Sequence, residues 1–114
     1  MRKKDPGIDR LFHALADPTR RAVLDRLCQA PTTVTRLADN LGITLTAVGQ
    51  HLQILQEAGL VETEKLGRVR TASIHHAGFD RLERWIREHR TEWERRLDRL
   101  GDLLAEDDTE PSGS

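Results

Sequence analysis

The stretch Thr33-Val34-Thr35-Arg36-Leu37-Ala38-Asp39-Asn40-Leu41-Gly42-Ile43-Thr44-Leu45-Thr46-Ala47-Val48-Gly49-Gln50-His51-Leu52-Gln53-Ile54-Leu55-Gln56-Glu57-Ala58-Gly59 decides how this chain is read. It divides into two amphipathic segments about Leu41-Gly42-Ile43. Thr33 is a good N-cap for a short helix over Val34–Asn40 that buries Val34, Leu37 and Ala38. Gly42 supplies a left-handed residue to close it. A second helix runs from Thr44 or Leu45 to about Ala58, with Gly59 as its stop. Each residue advances about 100° around a helix. With Val48 pointing inward, Leu52 and Leu55 share its side, while Thr46, Gln50, Gln53 and Glu57 fall near the opposite one. The second helix therefore has an apolar side to pack and a short polar side, nearly uncharged at its N-terminal end, to present.

Working outward, Leu60–Lys65 and Val69–Ile74 favour strands, with Leu66-Gly67-Arg68 as a hairpin tip. Upstream, Ile8, Leu11, Phe12 and Leu15 recur at helical spacing. Asp17-Pro18 stops that helix and starts another, which runs to about Gln29 with Ala22, Val23, Leu27 and Cys28 inward. Ala30-Pro31-Thr32 is a break. A long last helix is predicted from near Ala77 to about Leu104, with an apolar stripe of Leu82, Trp85, Ile86, Trp93, Leu97, Leu100, Leu103 and Leu104. The expected architecture is mainly α (α+β): a winged helix-turn-helix in which four helices precede a two-stranded ribbon and a fifth helix. Residues 1–7 are expected to be flexible, 8–104 to form one DNA-binding and dimerisation domain, and 105–114 to be a disordered acidic tail.

The bulk composition fits one domain. The chain has 114 residues, of which 32% are charged and 4% aromatic. The net charge of −1 hides an asymmetry: residues 1–75 hold 11 Lys/Arg and 8 Asp/Glu, and residues 76–114 hold 7 and 11. Contact with a polyanion therefore belongs to the first part. Cys28 is the single cysteine, so an internal disulfide is ruled out, a reducing, cytoplasmic setting is expected, and Cys28 reads as a small buried apolar residue. No leader-type apolar segment and no run near 18 apolar residues is present, so no membrane partner is expected.

Two short helices joined by a glycine turn and followed by a ribbon point to duplex DNA. A major groove about 12 Å wide admits one α-helix, and the second helix of such a pair enters it. Thr44, Thr46, Ala47, Gln50, His51 and Gln53 are the candidate contacts on that helix; Gln50 suits adenine, and Thr46 suits a thymine methyl. Lys65, Arg68 and Arg70 on the ribbon are candidates for phosphate or the minor groove. The last helix, with Leu82, Trp85, Ile86, Trp93, Leu97 and Leu100, and the first, with Leu11 and Phe12, are expected to form a homodimer interface. Two copies would then read a near-palindromic site.

These residues resemble the ArsR-type family of bacterial winged-helix repressors over roughly Ile8–Leu104. The resemblance rests on Leu15-Ala16-Asp17-Pro18-Thr19-Arg20, on Gln50-His51-Leu52-Gln53-Ile54-Leu55-Gln56-Glu57-Ala58-Gly59-Leu60-Val61, and on Gly67-Arg68, in that order and spacing. It implies a homodimeric repressor released from its operator by a signal, and places His51 near the DNA backbone. Gly49 departs from the family, which usually has Ser there. The family's thiolate metal site needs cysteines near Leu37 and is absent. Its last-helix site maps onto His76, Gly78, His89 and Glu92, of which Gly78 cannot bind. His76 and His89 lie about 220° apart around one helix and about 20 Å along it, so only a partner helix could unite them. The run Trp85-x-x-x-His89-Arg90-x-x-Trp93-Glu94-x-Arg96-Leu97 looks like a metal-independent branch. No cofactor is expected, and the inducer is not carried over. Two alternatives remain: a metal-responsive repressor using His76, His89 and Glu92, and a winged-helix module that binds protein. An enzyme is not expected, because His75, His76 and Glu83 lack a nucleophile motif, a phosphate loop or a cleft.

Overall fold

The structure is a computed structural model describing residues 5–108, with side chains as far as residue 105. The elements run α1 (Pro6–Ala16), α2 (Pro18–Gln29), β1 (Thr32–Thr33), α3 (Val34–Leu41), α4 (Leu45–Glu57), β2 (Val61–Leu66), β3 (Val69–Ile74) and α5 (His76–Asp108). This is the expected winged helix-turn-helix, with one strand more than the sequence suggested. The chain forms two compact units, one ending at Leu82 and one beginning at Glu83.

The first unit is built on a core drawn from every helix of α1–α4. Leu11, Val23, Leu37, Val48 and Leu55 have no exposed surface, and Leu60 just before the ribbon, with Val61 and Ala72 on it, closes the same core. Side-chain caps fix where the helices start. The Asp5 carboxylate accepts the Gly7 and Ile8 N–H groups, and Thr33 and Thr44 accept those of Arg36 and Ala47. Asp17 accepts the Arg20 N–H at 2.9 Å. That bond is the main reason its carboxyl is held below the usual aspartate range. The same turn finishes α1. Arg20 is buried and donates Nε to the Ala14 carbonyl and Nη2 to that of His13, while Arg21 donates to Leu15 and Ala16. Five residues, Asp17-Pro18-Thr19-Arg20-Arg21, thus cap one helix and satisfy the free carbonyls ending another.

Gly42 is left-handed as expected (φ 65°), and the Ile43 N–H closes back on the Ala38 carbonyl. Strands β2 and β3 pair antiparallel from Val61↔Ile74 to Leu66↔Val69, leaving Gly67-Arg68 as a two-residue turn. Gly67 has φ 63° in the first central position, the feature that lets such a turn match the twist of its strands. β1 adds to the outer side of β3 through Thr32↔Ala72 and Thr33↔Thr71.

Four expectations need correction. α1 begins at Pro6 under an Asp5 cap, so the expected flexible start at 1–7 does not extend past residue 4; residues 1–4 lie outside the described residues. Leu11 is wholly buried in its own protomer and cannot belong to a dimer surface. Cys28 is exposed rather than buried. The inner face of α2 centres on Arg20, Val23, Leu24 and Leu27, and including a buried arginine turns Cys28 to the flank. α5 continues to Asp108, so residues 105–108 are helical rather than tail; the rest of that segment, 109–114, lies outside the described residues.

In the second unit α5 carries ion pairs at i,i+4 (Arg87–Glu83, Arg90–Glu94, Arg96–Glu92). Exposed pairs of this kind add only about 0.3–0.5 kcal/mol each. Trp85 stacks on His89 at 4.0 Å between ring centroids, and Trp93 meets both rings edge-on. Ile86, Trp93, Leu97, Leu100, Leu103 and Leu104 are all exposed.

Candidate nucleic-acid interface

α4 presents the side that its periodicity dictates. Val48, Leu52 and Leu55 are buried, and Thr44, Thr46, Gln50 and Gln53 are exposed along the opposite surface. The Thr44 hydroxyl is occupied as a cap, accepting from Ala47, whose own side chain is half-buried. Gln53 Nε2 donates to Glu57 Oε1 at 3.3 Å. Gln50 and Thr46 make no side-chain hydrogen bond among the described residues, so their polar atoms are open to a ligand.

His51 sits differently from the outward residues. It is half-buried, its Nδ1 is closed off from solvent without a hydrogen-bond partner, and it is close enough to Asp17 to help hold that carboxyl down. Its Nδ1 is therefore out of reach of a ligand on the outward face, and only the remainder of the ring could meet a DNA backbone.

The ribbon sorts its charges by face. Side chains alternate along a strand, so Val61, Thr63 and Lys65 share a face with Ile74, Ala72 and Arg70. Val61 and Ala72 on that face enter the core, and the Thr63 hydroxyl donates to Gln56 Oε1 of α4 at 3.4 Å. Beyond the core the face ends in Lys65 and Arg70. The acidic residues Glu62 and Glu64 lie on the other face, where Glu62 pairs with His75 at 3.3 Å. Lys65, Arg68 and Arg70 make no ion pair among the described residues. All three line a groove of about 650 Å³ between the ribbon tip and the starts of α3 and α4, together with Thr35, Leu45 and Val69. Sequence reasoning missed the last three: Thr35 and Leu45 meet the ribbon only through tertiary contact, and Val69 reads as an ordinary strand residue.

Within one protomer the last-helix metal donors are not gathered into a single set. Gly78 stands where a ligand would be needed because α5 starts hard against the end of α4: its N–H donates to the Gly59 carbonyl at 3.0 Å, and an added Cβ would collide with that oxygen. Glu92 is paired with Arg96, and the His89 Nδ1–H donates to the Trp85 carbonyl at 2.9 Å. Among the described residues no group of three or more His, Cys, Asp or Glu is placed to hold a metal. No helix among them is long and apolar enough to cross a membrane.

Comparison with known proteins agrees with this geometry. The helix-turn-helix domain family model matches residues 15–64. The chain is 40% identical over 74 residues to the HTH-type transcriptional regulator Rv2034 of Mycobacterium tuberculosis, covering 65% of this chain and 69% of that protein. Among solved structures, an ArsR family transcriptional regulator superposes with a TM-score of 0.74 at 40% identity, over 82% of this chain and 97% of that one. The homodimeric winged helix-turn-helix DNA-binding domain of Mb0332 from Mycobacterium bovis superposes with a TM-score of 0.60 at 26% identity, over 82% and 84%.

Proposed function

We propose, for a chain that belongs to the ArsR family of winged helix-turn-helix proteins and is thus a DNA-binding transcriptional regulator, that it works as a homodimeric repressor of a near-palindromic operator. α4 enters the major groove and reads bases through Thr46 and Gln50. Thr44, Ala47, His51 and Gln53 set its fit, and Lys65, Arg68 and Arg70 bind phosphate or the neighbouring minor groove. The observation that carries this reading is the pairing of an uncharged polar α4 face with an unpaired cationic face on the adjoining ribbon.

The dimer reading is supported by the exposed stripe of α5, from Ile86 through Trp93 and Leu97 to Leu100, and separately by Phe12 on α1. Leu82 and Trp85 are half-buried and belong to the proposed interface as well. A helix with so much apolar surface is stabilised by a second copy. Release from DNA proceeds without a metal at His76, His89 and Glu92, since the donor set is incomplete. The reading assigns the protein no catalytic step and places it in the cytoplasm. Footprinting on the DNA upstream of its own gene tests it. A short protected inverted repeat, lost steeply as salt rises, is expected; no protection at low salt would refute it.

A further inference from the structure

The ribbon outruns the core that holds it. Val61 and Ala72 are buried, whereas residues 64–70 are all exposed. The pairs Lys65↔Arg70 and Leu66↔Val69, with the turn Gly67-Arg68, therefore project about 10 Å beyond the packed part of the ribbon. Two apolar side chains stand at the end of this projection. Leu66 is 71% exposed, more than any other large apolar residue among those described, and Val69 is 53% exposed. They are cross-strand partners on either side of the turn, and the core lies too far back to cover them.

Charge and shape say what meets this tip. Lys65, Arg68 and Arg70 surround it and line the groove that adjoins α4, so the apolar pair is continuous with the candidate nucleic-acid interface. Glu64 shares a face with Leu66, two residues and about 7 Å further back. That carboxylate keeps the face from lying flat along phosphates and leaves the end of the ribbon as the part that enters. The minor groove of B-DNA is about 6 Å wide and about 7.5 Å deep. The projection is long enough to reach its floor. It is too wide for its walls, because two strands stand about 4.8 Å apart before side chains are added. The groove must open to admit it. An apolar side chain driven between two base pairs opens the minor groove and bends the duplex toward the major groove. With α4 in that major groove, such a bend draws the duplex onto the protein.

Resting on the reading that α4 and the ribbon bind DNA, we propose that the ribbon tip bends the operator. Leu66, backed by Val69, wedges into one base step of the minor groove beside each half-site. The favoured step is pyrimidine–purine, TA or CA/TG, which unstacks most easily.

The test uses the full chain and a duplex recovered by selection from random-sequence DNA. The duplex carries a donor–acceptor dye pair at its ends and 2-aminopurine in place of single adenines. With the wild type, the dyes should report a bend of at least about 20° per half-site. The 2-aminopurine should brighten several-fold at one step per half-site, where stacking is lost. Leu66→Ser should abolish the brightening and most of the bend, and Val69→Ser a smaller part of each. The salt slope of Leu66→Ser should match that of the wild type, because no phosphate contact is lost. Its affinity should change by no more than about tenfold, since burial of the leucine and unstacking of the step offset each other. Replacing the bright step by a stiff A-tract should weaken the wild type and spare Leu66→Ser. Without DNA this variant should melt within a few degrees of the wild type, which shows that it folds. A duplex that stays straight, a bend without a bright step, or a bend that survives both serine variants would overturn the proposal and leave DNA binding standing. A wild type that binds no duplex would overturn both readings.

Discussion

Helices α4 and α5 are both amphipathic in sequence, yet they use their apolar sides in opposite ways. α4 sends Val48, Leu52 and Leu55 into the core of its own unit, leaving at most 3% of any of them exposed. From Glu83 onward α5 leaves Ile86, Trp93, Leu97 and Leu100 between 47% and 64% exposed. The first helix is fully stabilised within one protomer and is free to offer its polar side to a ligand. The second carries apolar surface that its own unit does not cover, as expected of a helix that pairs with a copy of itself. An apolar stripe read from sequence establishes that a helix has something to bury; where it is buried depends on how many other elements share its unit.

Substitutions should separate the two roles. The largest effect is expected from Leu55→Ala, which opens a cavity in the first unit and should cost about 2–5 kcal/mol in urea unfolding at any protein concentration. Leu97→Glu on α5 should instead act through association. Sedimentation should show the dimer weakened by about a hundredfold, since a charge is placed twice in the proposed interface, while the secondary structure of the first unit persists.

Gly49→Ala sharpens the comparison from the other side. The position has ordinary helical φ, and an added Cβ would meet nothing within 4 Å. The change should therefore stabilise α4 by about 1 kcal/mol, read as a higher melting temperature. The smallest effect is at Asp17. Its folded carboxyl is held below its ordinary value by the Arg20 N–H first, with the charges of Arg20 and His51 adding to this. A depressed carboxylate stabilises the folded state above its unfolded pKa, and the contribution fades as pH falls through the folded value. Wild type and Asp17→Asn should thus differ in stability at neutral pH and converge well below pH 4, the unfolded aspartate range.

Much of this was legible because it is local. Asp17, Thr33 and Thr44 announce the starts of α2, α3 and α4, Gly42 announces a left-handed turn, and helical spacing picks out Val48, Leu52 and Leu55. The features that escaped are set by partners distant in sequence. β1 is two residues long, too short for any periodicity, and exists only because β3 lies alongside it. Cys28 lies beside, not on, an inner face that includes Arg20, a charged residue that hydropathy places on the surface but that two backbone carbonyls hold inside. Leu11 and Phe12 are neighbours on one apolar stripe, yet one is wholly buried and the other 43% exposed. The candidate interface divides in the same way. The outward residues of α4 follow from helical geometry, while Thr35 and Leu45 join the ribbon cations only through tertiary contact.

The central claim is that two copies of α4 read DNA together, with Thr46 and Gln50 at the bases. Selection of bound sequences from random duplex DNA, run in parallel with wild type and Gln50→Ala, tests it most directly. The account predicts a two-fold symmetric motif with half-site centres about 10–10.5 base pairs apart, and a loss of preference at one matching base in each half-site for the variant. An asymmetric motif, or a symmetric one that Gln50→Ala and Thr46→Ala both leave unchanged, would contradict it.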